Sequence, residues 1–511
     1  MRSLTPIALL RPNKALVVAL ALFVGGALCP TVLPVGAAGA RYSPTTDPLV
    51  QHGGKLTGGG EQGEGRFGVS VALSQDGDTA LVGSPYDDDR RGAVWVLSRT
   101  SSRWTQQGGK LTGGEPGVEE DEEGCVEDAG EEPGECSFGR SVAISADGNT
   151  AVIGDPTGGA RRGSAQVFTR TGSAWALQAT LTGPNEAGEG RFGKSVALSA
   201  DGDTALVGDP SAGLQHGTAW AFRRSGSSWG APTEVVAGER SQRMHFGRSV
   251  ALSADGGTAL IGNPGENGYV GSAWVLTSTG SGWSQRGAAL RGSGEAGAGH
   301  FGIAVALSRD GATALIGGPN DNGGLGALWA FTRQGSGFES NSEKLVGREA
   351  DDDARFGSSV TLSDDGTTAL VGAPRDHAGD GAVRVFTHNR GGWAEQAEQL
   401  AGAEQVGQGF SGTSVALSGD ARVALLGAPH DDHRAGAAWS FVEEPPAAVP
   451  EVTGVSSQRR AARRGHEGDD QRRELHRSCR GELRVRAGAK LRGALGGRNR
   501  SGLARRRSGD R

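Results

Sequence analysis

One phrase, repeated seven times, constrains the fold of this chain more than any other sequence feature. It has the form FGxSVALSxDGxTALVGxP, and five of the six intervals between copies are 54 or 55 residues, the first being 71. A fixed period of this kind, made of short β-type runs, predicts an all-β repeat fold with one propeller blade per copy. The copies begin at Phe67, Phe138, Phe192, Phe246, Phe301, Phe356 and Phe410.

Each copy contains the signals of a four-stranded blade. In the third copy, Asp201-Gly202 marks a tight hairpin turn, since glycine adopts positive φ without steric cost. Pro210 ends the second strand because proline cannot donate to a β-ladder. The glycine that opens the third strand lies seven positions after this proline, and every copy keeps that spacing. The predicted strands are Phe192–Ser199, Thr204–Gly208, Gly217–Phe222 and Trp229–Gly238.

The ends of the repeat region predict how the ring closes. Six copies carry a fourth strand, beginning near an aromatic residue, but the seventh ends at Phe441 without one. Val50–Gly58 reads VQHGGKLTG and matches the fourth-strand segment QQGGKLTG at Gln106–Gly113. We therefore expect residues 41–444 to form a seven-bladed propeller of four-stranded blades, with the N-terminal strand completing the last blade and leaving no open edge.

The two ends of the phrase carry a family resemblance. Phe-Gly followed by Gly-x-Pro resembles the FG-GAP repeat of integrin α-chain propellers and their bacterial relatives, over about residues 49–442. The last Phe-Gly is interrupted, as Phe410-Ser411-Gly412. The resemblance implies a seven-bladed propeller that binds a ligand. The Gly-x-Pro copies are Gly83–Pro85, Gly154–Pro156, Gly208–Pro210, Gly262–Pro264, Gly317–Pro319, Gly372–Pro374 and Gly427–Pro429.

The resemblance departs from integrins at the expected calcium loops. Several integrin-type blades hold calcium in a DxDxDG loop between the first two strands, whereas the turns here are short, as in Gln75–Asp78 and Ala200–Asp203. Calcium takes about six to eight oxygen ligands, and these turns offer two carboxylates at most. We expect no cofactor and no metal site; calcium is conceivable but is not supported by these turns.

The first 40 residues have the pattern of a secretory signal. Arg2, Arg11 and Lys14 precede the apolar run Ala15–Leu28, and Ala38–Ala40 offers a small-residue cleavage site. The apolar run is short for a membrane span. We expect a secreted or cell-surface protein with no membrane span in the mature chain.

Two of the four cysteines fall in an acidic insertion at residues 115–136, which holds eleven Asp and Glu residues. In an oxidising compartment a disulfide between Cys125 and Cys136 is predicted. A metal-binding pair is the alternative.

Charge divides the chain into two unlike parts. Residues 41–455 carry 31 Lys and Arg against 52 Asp and Glu, whereas residues 456–511 carry 18 against 6. The acidic propeller argues against a nucleic-acid partner. After a linker at 445–455, Pro450–Val455 resembles the opening strand of an IPT/TIG module, and in a neighbouring reading frame residues 466–484 permit a continuation of it. We interpret 456–511 as a frameshifted remnant; a disordered basic tail is the alternative.

The loops after Gly-x-Pro supply the candidate ligand-binding residues. Acidic residues and histidines collect in copies one, five, six and seven, which are consecutive in a closed ring, on the face that resemblance to integrins makes the ligand face. Solvated loops that keep the protein soluble are the alternative. The candidates are Asp87, Asp88, Asp89, Asp321, Asp376, His377, Asp380, His430, Asp431, Asp432 and His433.

No arrangement of nucleophile, base and acid is visible as a motif. The leading hypothesis is therefore a monomeric, non-catalytic binding or adhesion propeller for an extracellular protein or glycan. The alternatives are a polysaccharide-active enzyme on a propeller and a structural module of a surface protein. Trp95, Trp220, Trp274, Trp329 and Trp439 recur in third strands. This predicts packing between blades, with a sugar platform as the alternative.

Overall fold

Seven antiparallel sheets follow one another along the chain, one for each copy of the repeat. The computed structural model describes residues 48–100, 103–113, 138–158, 162–184, 191–238, 244–280, 282–335, 337–338 and 342–443. The signal, the acidic insertion with its cysteine pair, the linker and the basic tail predicted above lie outside these ranges. Within them, no helix is long and apolar enough to span a membrane. The predicted seven-bladed propeller is confirmed.

The first three blades contain fourteen strands between them. Blade 1 consists of β2 (Ser70–Leu73), β3 (Thr79–Ser84), β4 (Ala93–Thr100), β5 (Arg103–Gln106) and β6 (Leu111–Thr112). Blade 2 consists of β7 (Ser141–Ile144), β8 (Thr150–Asp155), β9 (Ser164–Thr171) and β10 (Ala174–Leu181). Blade 3 consists of β11 (Ser195–Leu198), β12 (Thr204–Asp209), β13 (Thr218–Ser225), β14 (Ser228–Trp229) and β15 (Thr233–Val235).

The remaining four blades repeat this order. Blade 4 consists of β16 (Val250–Leu252), β17 (Thr258–Asn263), β18 (Ser272–Ser278) and β19 (Trp283–Gln285). Blade 5 consists of β20 (Ala304–Leu307), β21 (Thr313–Gly318), β22 (Ala327–Gln334), β23 (Gly337–Phe338) and β24 (Glu343–Leu345). Blade 6 consists of β25 (Ser359–Leu362), β26 (Thr368–Ala373), β27 (Ala382–Asn389) and β28 (Gly392–Leu400). Blade 7 consists of β29 (Ser414–Leu417), β30 (Val423–Ala428), β31 (Ala437–Glu443) and the N-terminal β1 (Leu49–Gln51).

The N-terminal strand completes the last blade, as predicted. β1 pairs antiparallel with β31, with Leu49 opposite Glu443 and Gln51 opposite Phe441. A further bridge joins Leu56 to Ala438. Every blade therefore has an outer strand, and the ring closes through the two ends of the repeat region.

The hydrophobic core is divided among the seven junctions between adjacent blades. The cluster between blades 7 and 1, for example, joins Trp95 and Leu97 to Val423 and Leu425. Trp95, Trp329 and Trp439 are fully buried in their junctions, and the other two third-strand tryptophans are nearly so. The prediction that this tryptophan row packs between blades is confirmed.

The Phe-Gly pair differs from its predicted strand conformation. In blade 3 the first strand begins at Ser195 rather than Phe192, because Gly193 adopts a φ of +92°. Phe192 instead forms a parallel bridge with Gly163 of blade 2. The same bridge recurs at five other junctions, including that of Phe67 with Gly436 across the closure. Phe-Gly is therefore a connector between blades.

The predicted fourth strand of blade 3 is also interrupted. It splits into β14 and β15, which both pair with β13. Pro232 lies in the gap and has no N–H to donate.

The glycine of Gly-x-Pro allows neighbouring blades to touch through their backbones. An added Cβ at Gly208 would overlap with the carbonyl oxygen of Gly247 in blade 4 and with the hydroxyl of Ser195. That hydroxyl donates to the same Gly247 oxygen at 2.9 Å. Six of the seven copies have this serine bond, and Ala304 takes its place in blade 5. The repeated residues thus specify the spacing between blades.

A closed ring of seven backbone hydrogen bonds surrounds one mouth of the central channel. The residue before each Asp-Gly turn, or before its equivalent, donates its N–H to the carbonyl of the corresponding residue in a neighbouring blade, at 2.9–3.2 Å. Every blade donates once and accepts once, so the ring has no open end. Its members are Gln75, Ala146, Ala200, Ala254, Arg309, Asp364 and Gly419.

Candidate functional site

The predicted ligand-face residues lie in the loops between the second and third strands. In the part of the chain that the structure describes, six of these loops contain a four-residue helical turn. The turns are α1 (Asp87–Arg90), α2 (Ala212–Gln215), α3 (Glu266–Tyr269), α4 (Asp321–Gly324), α5 (Asp376–Gly379) and α6 (Asp431–Arg434). Backbone hydrogen bonds join these turns to the loops that enter each blade, as between the Asp88 N–H and the Gln62 carbonyl. The two sets of loops therefore share one face, called the loop face below.

Four of the eleven candidates are buried anchors of the loops. Asp87, Asp321, Asp376 and Asp431 stand two residues after the Gly-x-Pro proline and are at most 1% exposed. Each carboxylate accepts a hydrogen bond from a backbone N–H of the loop that enters the same blade, at 2.6–3.1 Å. These aspartates hold the two sets of loops together.

A basic side chain, from the third strand or from the segment that contains the outer strand, neutralises each buried aspartate. Lys344 lies 2.7 Å from Asp321, and Lys55 of the N-terminal segment lies 2.5 Å from Asp431. Lys110 pairs with Asp87 in the same way. In blade 6 the lysine position is occupied by Gln399, and Arg384 of β27 binds Asp376 at 2.8 Å instead. A cation thus accompanies the aspartate in all four blades.

The other seven candidates remain accessible to a ligand. Asp89, His377, Asp380, Asp432 and His433 are exposed, and the His433 side chain keeps 91% of its accessible surface. Asp88 and His430 are half-buried, and the His430 ring packs edge-on against Phe410 with centroids 4.6 Å apart. The loops of blades 6, 7 and 1 therefore present mixed acidic and histidine side chains on rigid anchors.

Within the described ranges, five of these loops have three consecutive residues in the left-handed backbone conformation. The last of the three is glycine in blades 5 and 6, where φ is +103° at Gly324 and +95° at Gly379. Blades 1 and 7 have no glycine in the triplet and end it with Arg90 and Arg434, at φ of +67° and +69°. A non-glycine residue in this conformation costs roughly 1–2 kcal/mol. Among the described loops, blades 1 and 7 carry arginine at this position, and blade 4 carries Tyr269 at a φ of +70°.

A recess of about 350 Å³ opens on the loop face where blade 7 meets blade 1. Arg66, Arg90 and Arg434 line it, together with Tyr86, Gln62 and the carboxylates of Glu64 and Asp89. The Arg66 guanidinium lies 4.2 Å from the centre of the Tyr86 ring, and Arg66 is only 7% exposed. The recess carries three positive and two negative side chains in an otherwise acidic propeller. Sequence reasoning concentrated on the acidic residues and missed these arginines.

A wider recess of about 680 Å³ lies at the channel mouth on the opposite face. It is lined by first-turn residues, including Asp76, Asp147 and Asp201. Each of these carboxylates accepts a hydrogen bond from the serine hydroxyl two residues earlier and from the N–H two residues later, so it stabilises its own turn. Among the described residues no group of three His, Cys, Asp or Glu side chains is arranged to hold a metal ion.

Two glutamates at equivalent positions have strongly shifted pKa values. Burial raises the pKa of Glu61 to about 7. A hydrogen bond from the Ser84 hydroxyl lowers this pKa, and the nearby Asp87 carboxylate raises it further. Burial likewise raises the pKa of Glu295 to about 7, with Asp321 as the neighbouring carboxylate. Both glutamates lie in loops that enter a blade, beside an anchoring aspartate.

These glutamates predict that the propeller loses stability as the pH rises from about 4.5 to 7. In that window the folded state binds more protons than the unfolded chain, so raising the pH favours unfolding. The double variant Glu61→Gln, Glu295→Gln should flatten this slope and be more stable than the wild type at pH 7.5. Thermal unfolding between pH 4.5 and 8 measures the pH dependence of stability. Glu404→Gln is the control, because Glu404 is an exposed residue in the equivalent loop of another blade. Equal slopes for the wild type and the double variant would contradict the assignment.

A family model described as the FG-GAP repeat matches residues 52–97 and 340–386. The first match begins directly after β1 and the second begins three residues before β24. Each ends in the third strand of the following blade and so spans the Phe-Gly connector and Gly-x-Pro. These two segments are FG-GAP repeats. No curated protein sequence gives a significant match to the chain. The FG-GAP motif residues of this propeller are the ones that set the contacts between blades, whereas the loop face differs from blade to blade.

Proposed function

We propose that this chain is a non-catalytic binding propeller, exported or held at a cell surface, that recognises an extracellular protein or glycan. FG-GAP propellers are typical of binding and adhesion modules and are typically extracellular. The proposal includes a bacterial type of FG-GAP protein, an export signal at 1–40 and a C-terminal IPT/TIG remnant, which the sequence patterns described above support.

The observation that carries this proposal is the construction of the loop face. Four buried aspartates fix the loops to the scaffold, while the neighbouring residues, such as Asp89, Asp432 and His433, remain exposed. A surface that is rigid before it meets its partner loses little conformational entropy on binding. Anchors that recur in four blades, combined with exposed side chains that differ between them, suit recognition of a specific ligand.

The turn aspartates of the channel mouth support a role without catalysis. Hydrogen bonds from the Ser253 hydroxyl and the Gly257 N–H lower the pKa of Asp255, and the Ser308 hydroxyl lowers the pKa of Asp310 in the same way. A carboxylate held ionised and bonded to its own turn is a poor proton donor at neutral pH.

Binding by the full-length chain to immobilised glycans and extracellular matrix proteins tests the proposal. We expect at least one ligand to bind in both calcium and chelator, since the described loops offer no metal site. The triple variant Asp89→Ala, Asp432→Ala, His433→Ala should weaken that binding at least tenfold. Arg390→Ala, in the turn between β27 and β28 on the opposite face, should not. Release of shortened glycan products, or binding unaffected by the triple variant, would contradict the proposal.

A further inference from the structure

We propose that the recess between blades 7 and 1 binds a carboxylate group of an acidic polysaccharide; this rests on the proposed binding function and names its ligand class. Three arginines from three separate segments converge there: Arg66 from the loop entering blade 1, Arg90 from α1 and Arg434 from α6. Arginine presents a planar fork of donors that matches the two oxygens of a carboxylate.

The recess is built before any ligand arrives. The Arg66 N–H donates to the Arg434 carbonyl at 3.0 Å, and the Tyr86 N–H donates to the Gly65 carbonyl at 3.2 Å. The Asp88 N–H reaches the Gln62 carbonyl at 3.4 Å. The three arginine-bearing segments are thus joined through their backbones, and the Arg66 guanidinium packs over the Tyr86 ring. A site whose backbone is preformed loses less conformational entropy on binding.

The backbone at Arg90 and Arg434 is a second, independent argument. Glycine occupies the same left-handed position in blades 5 and 6, so the turn itself does not require a side chain there. Blade 4 has Tyr269 there, and the two blades that border the recess have arginine, each at a steric cost. Residues that break a local preference in this way cluster at functional sites.

The other lining groups favour a sugar acid over an acidic peptide. The described lining contains no aliphatic side chain. Gln62, Glu64 and Asp89 offer amide and carboxylate groups to hydroxyls, while the arginines address the carboxylate. A peptide would bring apolar side chains for which the recess has no counterpart.

Calorimetric titration of the full-length chain with hexagalacturonate tests the site. We expect hexagalacturonate to bind saturably. The fully methyl-esterified hexamer has nearly the same size but no free carboxylate, and its affinity should be at least tenfold lower. Arg90→Gly and Arg434→Gly should each weaken binding by about 10- to 100-fold, the loss expected for one charge-assisted hydrogen bond. Both variants should keep or raise the melting temperature, because they install the glycine of blades 5 and 6.

Arg91→Ala is the matched control. Arg91 neighbours Arg90, carries the same charge and pairs with Asp88 at 3.8 Å, but it does not line the recess. It should change the affinity less than twofold.

The inference would be overturned if the ester bound as tightly as hexagalacturonate, or if Arg434→Gly left the affinity for hexagalacturonate unchanged. It would also be overturned if hexaglutamate bound at the same arginines as tightly as hexagalacturonate or more tightly. Sulfate competing as well as the hexamer would mean an adventitious ion only and would also overturn it. If hexagalacturonate fails while another ligand binds the loop face, the carboxylate site falls and the proposed function stands.

Discussion

Deleting Leu49–Gly58 from the full-length chain is expected to remove at least 3–5 kcal/mol from the free energy of unfolding. The deletion takes away β1, the bridge from Leu56 to Ala438 and the ammonium group of Lys55. Asp431 is fully buried and would lose its cation, and a buried charge without its partner alone costs about 3–5 kcal/mol. Urea unfolding at equilibrium measures the loss.

Two point variants separate the contributions to closure. Lys55→Met keeps the strand but orphans Asp431, so it should reproduce most of the loss. Val50→Ala changes a side chain on the exposed side of the same strand and should cost no more than about 0.5 kcal/mol. If the deletion left the urea midpoint unchanged, the N-terminal strand would not be what closes the ring.

A single methyl group at Gly208 should also be severely destabilising, by about 3 kcal/mol or more. The new Cβ in Gly208→Ala would overlap with the Gly247 carbonyl oxygen of the next blade and with the Ser195 hydroxyl. The carbonyl is backbone and also accepts the serine bond, so neither group can yield without opening the junction. The expected result is a lower urea midpoint and a weaker near-ultraviolet circular dichroism signal from the tryptophans packed between blades.

Gly109→Ala provides the control for this substitution. An added Cβ at Gly109 meets nothing within 4 Å, and its φ is not positive. It should therefore change the free energy of unfolding by no more than about 0.5 kcal/mol. Similar losses for both variants would show that general glycine effects, rather than contact between blades, explain the Gly-x-Pro motif.

The fold could be predicted from the sequence because the repeat encodes the same contact seven times. Period, turn residues and the match between Val50–Gly58 and Gln106–Gly113 sufficed for the blade count and the closure. The conformation of Phe-Gly could not be predicted this way. Alternation within FGKSVALS suits a strand, but the backbone turns at Gly193 because Phe192 bonds to the preceding blade, which is a tertiary constraint.

The candidate residues of the loop face were predicted as one group and the structure divides them. Asp87 is buried and Asp89 is exposed, although the two residues are only two positions apart in the sequence. The difference depends on an N–H of Gln62, 25 residues earlier. One signal was available: lysine stands in the KLxG segment wherever aspartate follows Gly-x-Pro, except in blade 6, where Arg384 replaces it.

The pairing of β1 with β31 also determines how the propeller responds to mechanical tension. Leu49 lies opposite Glu443, so the chain enters and leaves the repeat region side by side at one end of this strand pair. Force that separates these two points loads the ladder bonds one after another, as in a zipper, rather than all together. A propeller pulled from both ends would therefore open first within blade 7, where the N-terminal strand peels away, while the junctions between the other blades stay out of the line of force.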